Sequence, residues 1–311
     1  MIKTILSEGL PVDEQLLIRK KVITNGDGDK RICIVTGTHG DELEGQYVCF
    51  ELIRRINENP GMLNGTVEVY PALNPLGVDS VTRGIPTFDL DMNRIFPGDP
   101  NGHLIEYTAH KIIEDLRGAD MVIDIHASNI FLREMPQARI NKQMSRKLIP
   151  YANMLNIDFI WIHDAATVLE STLAHSLNVL KTPTIVVEMG IGMRLTLDYG
   201  NRLVDGIFNM MHKMGMWSAK STAKIAKPTL STKGEVCFMN AEASGIIIPT
   251  VSHSVNLKKG DLLCRIVDAF EGKVLQEVAS PVDGLLFNLR TYPVVYEGSL
   301  IARIFAASAK E

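Results

Sequence analysis

Two residue types that bind metals, a histidine and a glutamate, lie three positions apart at His39 and Glu42. They directly follow residues 31–36, whose apolar run predicts a buried strand. An imidazole and a carboxylate at the exit of one strand can point into one cleft, where they begin a zinc site that keeps a coordination position open. Two ligands do not complete such a site, so a third ligand and a base must come from elsewhere in the chain.

The third ligand is predicted at His126, the last residue of a second apolar run. A lone histidine there is more often a hydrogen-bonded core residue, but together with His39 and Glu42 it completes a set of two imidazoles and one carboxylate. Asp124 lies two residues earlier and points the same way along the strand. It either orients the imidazole or is simply a buried carboxylate at a strand end.

A candidate base follows a third apolar run, at Glu188. A buried carboxylate is costly unless it is paired, so one reading is a salt-bridged residue at a strand end. Near a metal ion, the same carboxylate can take a proton from water and return it to a leaving amine.

A long connection with little periodicity carries Arg83, Asn93 and Arg94. Arginine can grip a carboxylate in a two-pronged hydrogen-bonded pair, or stabilise a developing oxyanion. Alternatively, Asp89 and Asp91 in the same connection are the partners of the two arginines.

Apolar runs alternate with helical patterns between about residues 30 and 215. The runs predict strands at 31–37, 66–72, 120–126, 157–162 and 183–189, and the helical spacing predicts helices at 43–58, 103–117, 140–155, 170–181 and 197–214. This alternation predicts an α/β fold, a mixed and mostly parallel sheet flanked by helices on both faces. Ligands bind at the carboxyl ends of strands in such sheets, which is where His39, His126 and Glu188 fall.

The composition changes at residues 218–233, which are rich in Ser, Thr, Ala and Lys and predict a linker. Beyond it, short β-prone runs are broken by glycines, as in a small sandwich or barrel. We therefore predict a catalytic domain at residues 1–220 and a smaller all-β domain at residues 228–311.

Composition excludes several classes of function. The chain has 311 residues, 46% hydrophobic and 22% charged, and its net charge of -4 offers no field that would gather nucleic acid or anionic membrane. Residues 1–8 lack the apolar core expected of a signal peptide, and no apolar run reaches about 18 residues, so no transmembrane helix is predicted. The four cysteines form no CxxC pair, which indicates free thiols and a cytoplasmic protein.

Four segments resemble, in this order, the motifs of the succinylglutamate desuccinylase/aspartoacylase family of the zinc metallocarboxypeptidase superfamily. They are GTHGDE at 37–42, DMNRIFPG at 91–98, DIH at 124–126 and VEMG at 187–190. The resemblance covers roughly residues 30–215 and extends to the β-rich tail. Each piece alone is common, whereas the ordered set is specific.

The resemblance implies roles for seven residues. His39, Glu42 and His126 would bind one Zn²⁺ ion per chain, Glu188 would be the general base and acid, Asn93 and Arg94 would hold a substrate carboxylate, and Arg83 would polarise the amide carbonyl. The implied fold is like that of the zinc carboxypeptidases, and the implied reaction is the hydrolysis of an N-acyl amide.

The chain departs from aspartoacylase in the segment 169–177, which contains no arginine to read a second acidic group and offers only His175. The tyrosine of the aspartoacylase tail has no convincing match, since Tyr292 and Tyr296 are only nearby. The tail resembles a biotinyl/lipoyl fold, but Lys273 lacks the Met-Lys-Met turn of carrier domains and is predicted to be unmodified.

These observations favour a zinc-dependent amidohydrolase that deacylates an N-acyl amino acid or a related small amide. A zinc carboxypeptidase acting on peptides and a non-catalytic binding protein are the alternatives. The predicted partner is a small N-acyl substrate with a carboxylate, without nucleic acid or membrane, and a homo-oligomer is left open.

Overall fold

The computed structural model describes residues 1–86, 88–163 and 170–307. Thr87, which belongs to the long connection with the two arginines, lies outside the described residues. So do residues 164–169, including the first position of the segment 169–177, and residues 308–311.

A large mixed sheet forms the centre of the protein. Its main path follows the order β1-β2-β4-β3-β5-β8-β6-β15-β17-β10. The strands of this path are β1 (Ile2–Gly9), β2 (Gln15–Asn25), β3 (Arg31–Val35), β4 (Gly65–Tyr70), β5 (Met121–His126), β6 (Leu132–Asn141), β8 (Thr184–Gly190), β10 (Gly234–Asn240), β15 (Gly284–Arg290) and β17 (Leu300–Ala307). Three short strands join beside it, β7 (Phe159–His163), β9 (Thr229–Leu230) and β12 (Asn256–Leu257).

Strands β4, β3, β5 and β8 are parallel to one another, whereas β2 runs antiparallel to β4 and β6 runs antiparallel to β8. Parallel pairing brings the carboxyl ends of these four strands to the same edge. In this register, His126 of β5 lies opposite Glu188 of β8.

Helices cover both faces of this sheet because its strands are apolar on both sides. The helices are α1 (Glu44–Glu58), α2 (Pro75–Ser80), α3 (Leu104–Leu116), α4 (Ser145–Ala152), α5 (Leu173–Val179) and α6 (Leu197–Lys213). Ile32 and Ile34 of β3 point into the core under α1, α4 and α6, while Cys33 and Val35 point into the core under α3 and α5. The alternation is the period-two pattern of a strand buried on both faces.

The predicted helix at 140–155 is wrong at its start. Residues 140 and 141 end β6, which pairs with β7 and β8, and a 3₁₀ turn at Lys142–Met144 precedes α4. Strand pairing at long range thus overrides a local helical pattern. Strands β1, β2 and β6 were absent from the sequence prediction.

The C-terminal region is all-β, and the predicted fold class is confirmed. A four-stranded sheet has the order β14-β13-β11-β16, formed by β11 (Gly245–Pro249), β13 (Leu262–Asp268), β14 (Lys273–Ala279) and β16 (Val294–Val295). Strand β15 pairs with β6, so this region also extends the main sheet. The domain division at residues 220 and 228 stays a prediction.

Within the described ranges, no helix is both long enough and apolar enough to cross a membrane. All four cysteines are free thiols, as predicted. Burial raises the pKa of the Cys33 and Cys49 thiols to about 12, so neither is a reactive thiolate near neutral pH.

Candidate active site

Glu42 lies between the two histidines and contacts both. Its Oε1 is 2.7 Å from Nδ1 of His39, and its Oε2 is 2.9 Å from Nδ1 of His126. One possible ligand atom from each of the three residues lies within 4.8 Å of the others, and all three side chains are buried. The residues predicted from the sequence as metal ligands therefore lie together and could hold a metal ion.

Two glycines let the loop after β3 carry these ligands. Gly37 has a φ of 69°, and a Cβ atom there would lie 2.9 Å from the Cα of Ala72. At Gly40, a Cβ atom would lie 1.9 Å from the carbonyl carbon of Gly77. The glycines of the GTHGDE segment thus allow a close backbone approach that positions His39 and Glu42.

The charges of the group favour a bound cation. Burial works to raise the pKa of Glu42, but the imidazoles of His39 and His126 outweigh it and hold that pKa well below its ordinary value. Conversely, burial works to lower the pKa of His126, but Asp124 and Glu42 raise it well above the ordinary value. The carboxylates therefore stabilise positive charge between the two histidines, and either protons or a metal ion can supply that charge.

Unsatisfied polar atoms next to the group support the same conclusion. Asp124 Oδ1 is 3.2 Å from His126 Nε2, close enough for an ion pair. Yet neither oxygen of Asp124 nor this nitrogen has a hydrogen bond of good geometry to any described residue, although all are buried. Carboxylates commonly orient ligand histidines in metal sites, and Asp124 is placed beside His126 for that role.

Arg83 contacts the ligands directly. Its Nη1 donates to Glu42 Oε1 at 3.0 Å, and its Nη2 lies 3.0 Å from His39 Nε2 and 3.2 Å from Asp91 Oδ2. Asp91 Oδ1 also lies 3.1 Å from His39 Nε2. That nitrogen can donate to Asp91 or accept from Arg83, but not both at once, so its tautomer decides which contact is a hydrogen bond. Asp91 is thus a partner of Arg83, as one reading of the sequence held, and also a contact of a ligand histidine.

Asn93 and Arg94 line a cavity beside this group, but their surroundings differ. Asn93 is buried, and its Oδ1 accepts a hydrogen bond from the backbone N–H of Leu173 at 2.9 Å. Arg94 is exposed, and its Nη1 donates to the Asn93 carbonyl at 2.8 Å. Arg94 therefore lies at the solvent-exposed mouth of this cavity, while Asn93 holds the first residue of α5.

Glu188 lies beside the ligand group and is held by Arg139. Nη1 of Arg139 is 3.0 Å from Glu188 Oε1, and Nη2 of Arg139 donates to both oxygens of Glu134 at 2.8 Å. Burial raises the pKa of Glu188 to about 7, with Arg139 opposing the shift and Glu134 and Glu42 adding to it. A carboxyl group with a pKa near neutrality can both accept and donate a proton at physiological pH.

The C-terminal region completes this chain of charges. Arg303 Nη1 and Asn288 Nδ2 both donate to Glu134 Oε1, at 2.9 and 3.0 Å. Arg303 also lies over the ring of Trp161, 5.2 Å from its centroid. Sequence reasoning missed Arg139, Glu134 and Arg303, although charged residues inside an otherwise buried strand such as β6 were an available signal.

A cavity of about 590 Å³ joins these residues. Its lining includes all seven residues singled out from the sequence, and also Glu134, Arg139 and Arg303. His175 lines it as well, whereas Tyr292 and Tyr296 do not belong to its described lining. Lys273 forms an exposed ion pair with Glu271.

The fold and this group define an α/β protein with a buried pair of imidazoles and a carboxylate at the carboxyl edge of its sheet. Residues 28–214 match the model of the succinylglutamate desuccinylase/aspartoacylase catalytic domain. The chain belongs to this family, as its motifs indicated.

Individual relatives are distant. The chain is 25% identical over 305 residues to the N-alpha-acetyl-L-2,4-diaminobutyric acid deacetylase of Halomonas elongata, covering 93% of this chain and 85% of the relative. The product-bound structure of the ectoine utilization protein EutE of Ruegeria pomeroyi superposes with a TM-score of 0.80 at 20% identity, covering 97% of this chain and 93% of that one. A succinylglutamate desuccinylase/aspartoacylase of Rhodobacter sphaeroides gives 0.79 at 22% identity, covering 94% and 90%. These structural likenesses concern the fold.

Proposed function

We propose that this protein is a zinc-dependent hydrolase that removes the acyl group from an N-acyl amino acid or a related small N-acyl amide. The observation that carries the proposal is the buried group of His39, Glu42 and His126, with Glu188 beside it on the wall of one cavity. Membership of the family and the acetyl-amino-acid substrate in the name of the Halomonas relative support the same reaction class.

His39, Glu42 and His126 would hold the metal ion. Two imidazoles and one carboxylate are a donor set of catalytic zinc sites, and three protein ligands leave a position open. When bound, zinc supplies a Lewis acid that polarises an acyl carbonyl and makes water nucleophilic near neutral pH.

Glu188 carries the proton in the proposed reaction. It accepts a proton from the attacking water and passes it to the amine as the amide bond breaks. Its raised pKa suits both steps, because a group that titrates near the working pH is a competent base and acid in turn. Arg139 keeps one oxygen of Glu188 in place, which leaves the other free for the proton.

The arginines of the long connection position the substrate. Arg83 lies against Glu42 and His39, so its guanidinium is placed to polarise the acyl carbonyl of a substrate held beside this group and to stabilise negative charge on its oxygen. Arg94 at the mouth is placed for a substrate carboxylate, with Asn93 fixing the backbone beneath it.

Metal analysis and a substrate panel test the proposal together. Protein purified with zinc present is expected to contain one Zn²⁺ per chain, and His126→Ala is expected to contain almost none. The panel compares acetyl, formyl and longer N-acyl derivatives of amino acids with peptides that have a free carboxyl terminus.

Hydrolysis limited to the peptides would favour a carboxypeptidase. A protein that binds no zinc and hydrolyses none of these compounds would favour the non-catalytic alternative. His110→Ala is a matched control for His126→Ala, because His110 lies on α3 away from the cavity lining and its removal should leave the zinc content unchanged.

A further inference from the structure

The cavity extends well beyond the ligand group, along strand β8. Thr184, Val186 and Glu188 point to the same side of this strand, and all three line the cavity. Thr184 and Glu188 are four residue steps apart along the strand, a distance of about 13 Å, so the lining continues roughly that far from Glu188. Val186 is only partly buried although it lies in the middle of a central strand, because its side chain faces this space.

We call the part of the cavity beyond Glu188 the inner arm. Its lining includes Thr184 and Val186 of β8, Ala174 and Asn178 of α5, Ile140 and Asn141 at the end of β6, and Gln143, Met144 and Leu148 after it. Arg139 of β6 also lines the cavity and pairs opposite Val186. Apart from Arg139, none of these described residues is Asp, Glu, Lys or Arg, so the surface of the inner arm is a mixture of aliphatic and uncharged polar groups.

Two polar side chains of the inner arm, those of Asn178 and Thr184, are hydrogen-bonded within the protein. Asn178 Nδ2 donates to the Thr184 carbonyl at 2.9 Å, and its Oδ1 accepts from the Thr184 N–H at 3.0 Å. The Thr184 hydroxyl donates to the Thr182 carbonyl at 3.1 Å. These bonds hold both side chains against the backbone, and neither side chain carries a charge that could pair with an ionised group of a ligand.

The cations nearest to the inner arm are also engaged. Arg139 is held by Glu188 and Glu134, and Arg303 is held by Glu134. A carboxylate at the end of a substrate's acyl chain would have to break one of these pairs to find a counter-ion. The arrangement therefore disfavours a dicarboxylic acyl group.

We propose that the inner arm is a subsite for an uncharged acyl group longer than acetyl. This inference rests on the proposed deacylase function and on the placement of the substrate carboxylate at exposed Arg94. With the amine half held at the mouth, the acyl half points past Glu188 into the inner arm. The volume of about 590 Å³ lies within the range of sites for drug-sized ligands, well above the needs of an acetyl group.

The direct test compares acyl groups on one amino acid, using the zinc-loaded protein. We expect kcat/KM to rise from acetyl through butanoyl to hexanoyl and octanoyl, by about threefold to fourfold per methylene buried. Succinyl and butanoyl form a matched pair, since each has four carbons and they differ in a terminal carboxylate against a methyl group. Succinyl is expected to be the poorer substrate.

The possible outcomes separate the two proposals. Hydrolysis of the acetyl compound with no gain for longer chains, or a preference for succinyl over butanoyl, would overturn the acyl-chain subsite and leave the deacylase function standing. Absence of hydrolysis across the whole series would overturn the function and the subsite together.

Substitutions locate the effect within the cavity. Val186→Phe projects bulk into the inner arm and should lower the ratio of octanoyl to acetyl kcat/KM at least tenfold. Met144→Gln is a second variant in case Val186→Phe does not fold. It keeps the length of the side chain and should lower the same ratio severalfold. Met154→Gln is the matched control, because Met154 is also partly buried but lies outside the cavity lining, and it should leave the ratio unchanged. Equal ratios in Met144→Gln and Met154→Gln would place the acyl chain elsewhere.

Discussion

The sheet carries two clusters of buried charge, and they differ in how completely their charges are paired. Around Glu68 on β4, Lys20 contacts one carboxylate oxygen at 3.0 Å, while Arg31 and the hydroxyl of Tyr70 each contact the other at 2.8 Å. Asp115 on α3 accepts from Lys20 and Tyr70. Burial works to raise the pKa of Glu68, but the donors around it outweigh burial and hold the pKa below its ordinary value.

The cluster at Glu188 is incompletely paired. Its carboxyl group has one arginine partner and two carboxylates in its surroundings, and burial raises its pKa to about 7. Nearby Asp124 lacks well-formed hydrogen bonds within the described part of the chain. A cluster that satisfies all its charges stabilises the fold, whereas one that leaves charge uncompensated retains the capacity to bind a cation or move a proton.

Replacing the central glutamate of each cluster by glutamine should give the largest contrast between them, in turnover for one and in stability for the other. Glu188→Gln should reduce turnover of an N-acyl substrate by a factor of about 10² to 10⁴, because glutamine cannot exchange a proton with water. Zinc content should stay at the wild-type level. Burial disfavours the charged form of Glu188, so the free energy of unfolding of the Glu188→Gln variant at pH 8 should equal or exceed that of the wild type. Near wild-type turnover in this variant would refute the assignment of Glu188, with kcat and elemental analysis as the measurements.

Glu68→Gln should show the opposite pattern. It leaves Lys20 and Arg31 with one fewer counter-charge in a largely buried cluster, which should lower the free energy of unfolding by up to about 3 kcal/mol. Activity per folded molecule should be unchanged, since Glu68 lies outside the cavity lining. Urea unfolding and active-site titration check both statements, and a loss of kcat without a loss of stability would contradict the comparison.

Arg139→Lys tests whether the single arginine partner positions Glu188. Lysine keeps the charge but cannot contact Glu188 and Glu134 together as the planar guanidinium does. We expect kcat to fall about tenfold to a hundredfold with little change in KM, because the base is misplaced while substrate contacts remain. Arg202→Lys, in the ion pair with Asp158, is a control that should leave kcat unchanged. Equal kcat in both variants would assign Arg139 a purely structural role.

The pH dependence of kcat/KM is expected to be the smallest of these effects. The proposed base must be ionised to accept a proton, so kcat/KM should fall as pH decreases through the pKa of Glu188, near 7. The ionised fraction of such a group falls about tenfold between pH 8 and pH 6. The residual activity of Glu188→Gln should lack this acidic limb, and an identical pH profile in the variant would assign the limb to another group.

The sequence predicted the ligand group because its ordered motifs fix residue types at strand exits. His39 and Glu42 follow β3 and His126 ends β5, and these two strands pair in parallel, so their carboxyl ends meet at one edge of the sheet. Arg139, Glu134 and Arg303 could not be placed in the same way. They reach the cavity through antiparallel pairing of β6 with β8 and of β15 with β6 and β17, and the pairings of β6 join residues from about 50 to more than 150 positions apart.

The pairing of β15 with β6 also has a consequence for the order in which the site is synthesised. The three proposed metal ligands and Glu188 lie within the first 188 residues, whereas Asn288 and Arg303, which donate to Glu134, follow about a hundred residues later. A nascent chain that ends at α6 therefore contains the proposed ligands but leaves Glu134 without these two donors. The Glu134–Arg139–Glu188 chain is completed only when the C-terminal region has been made.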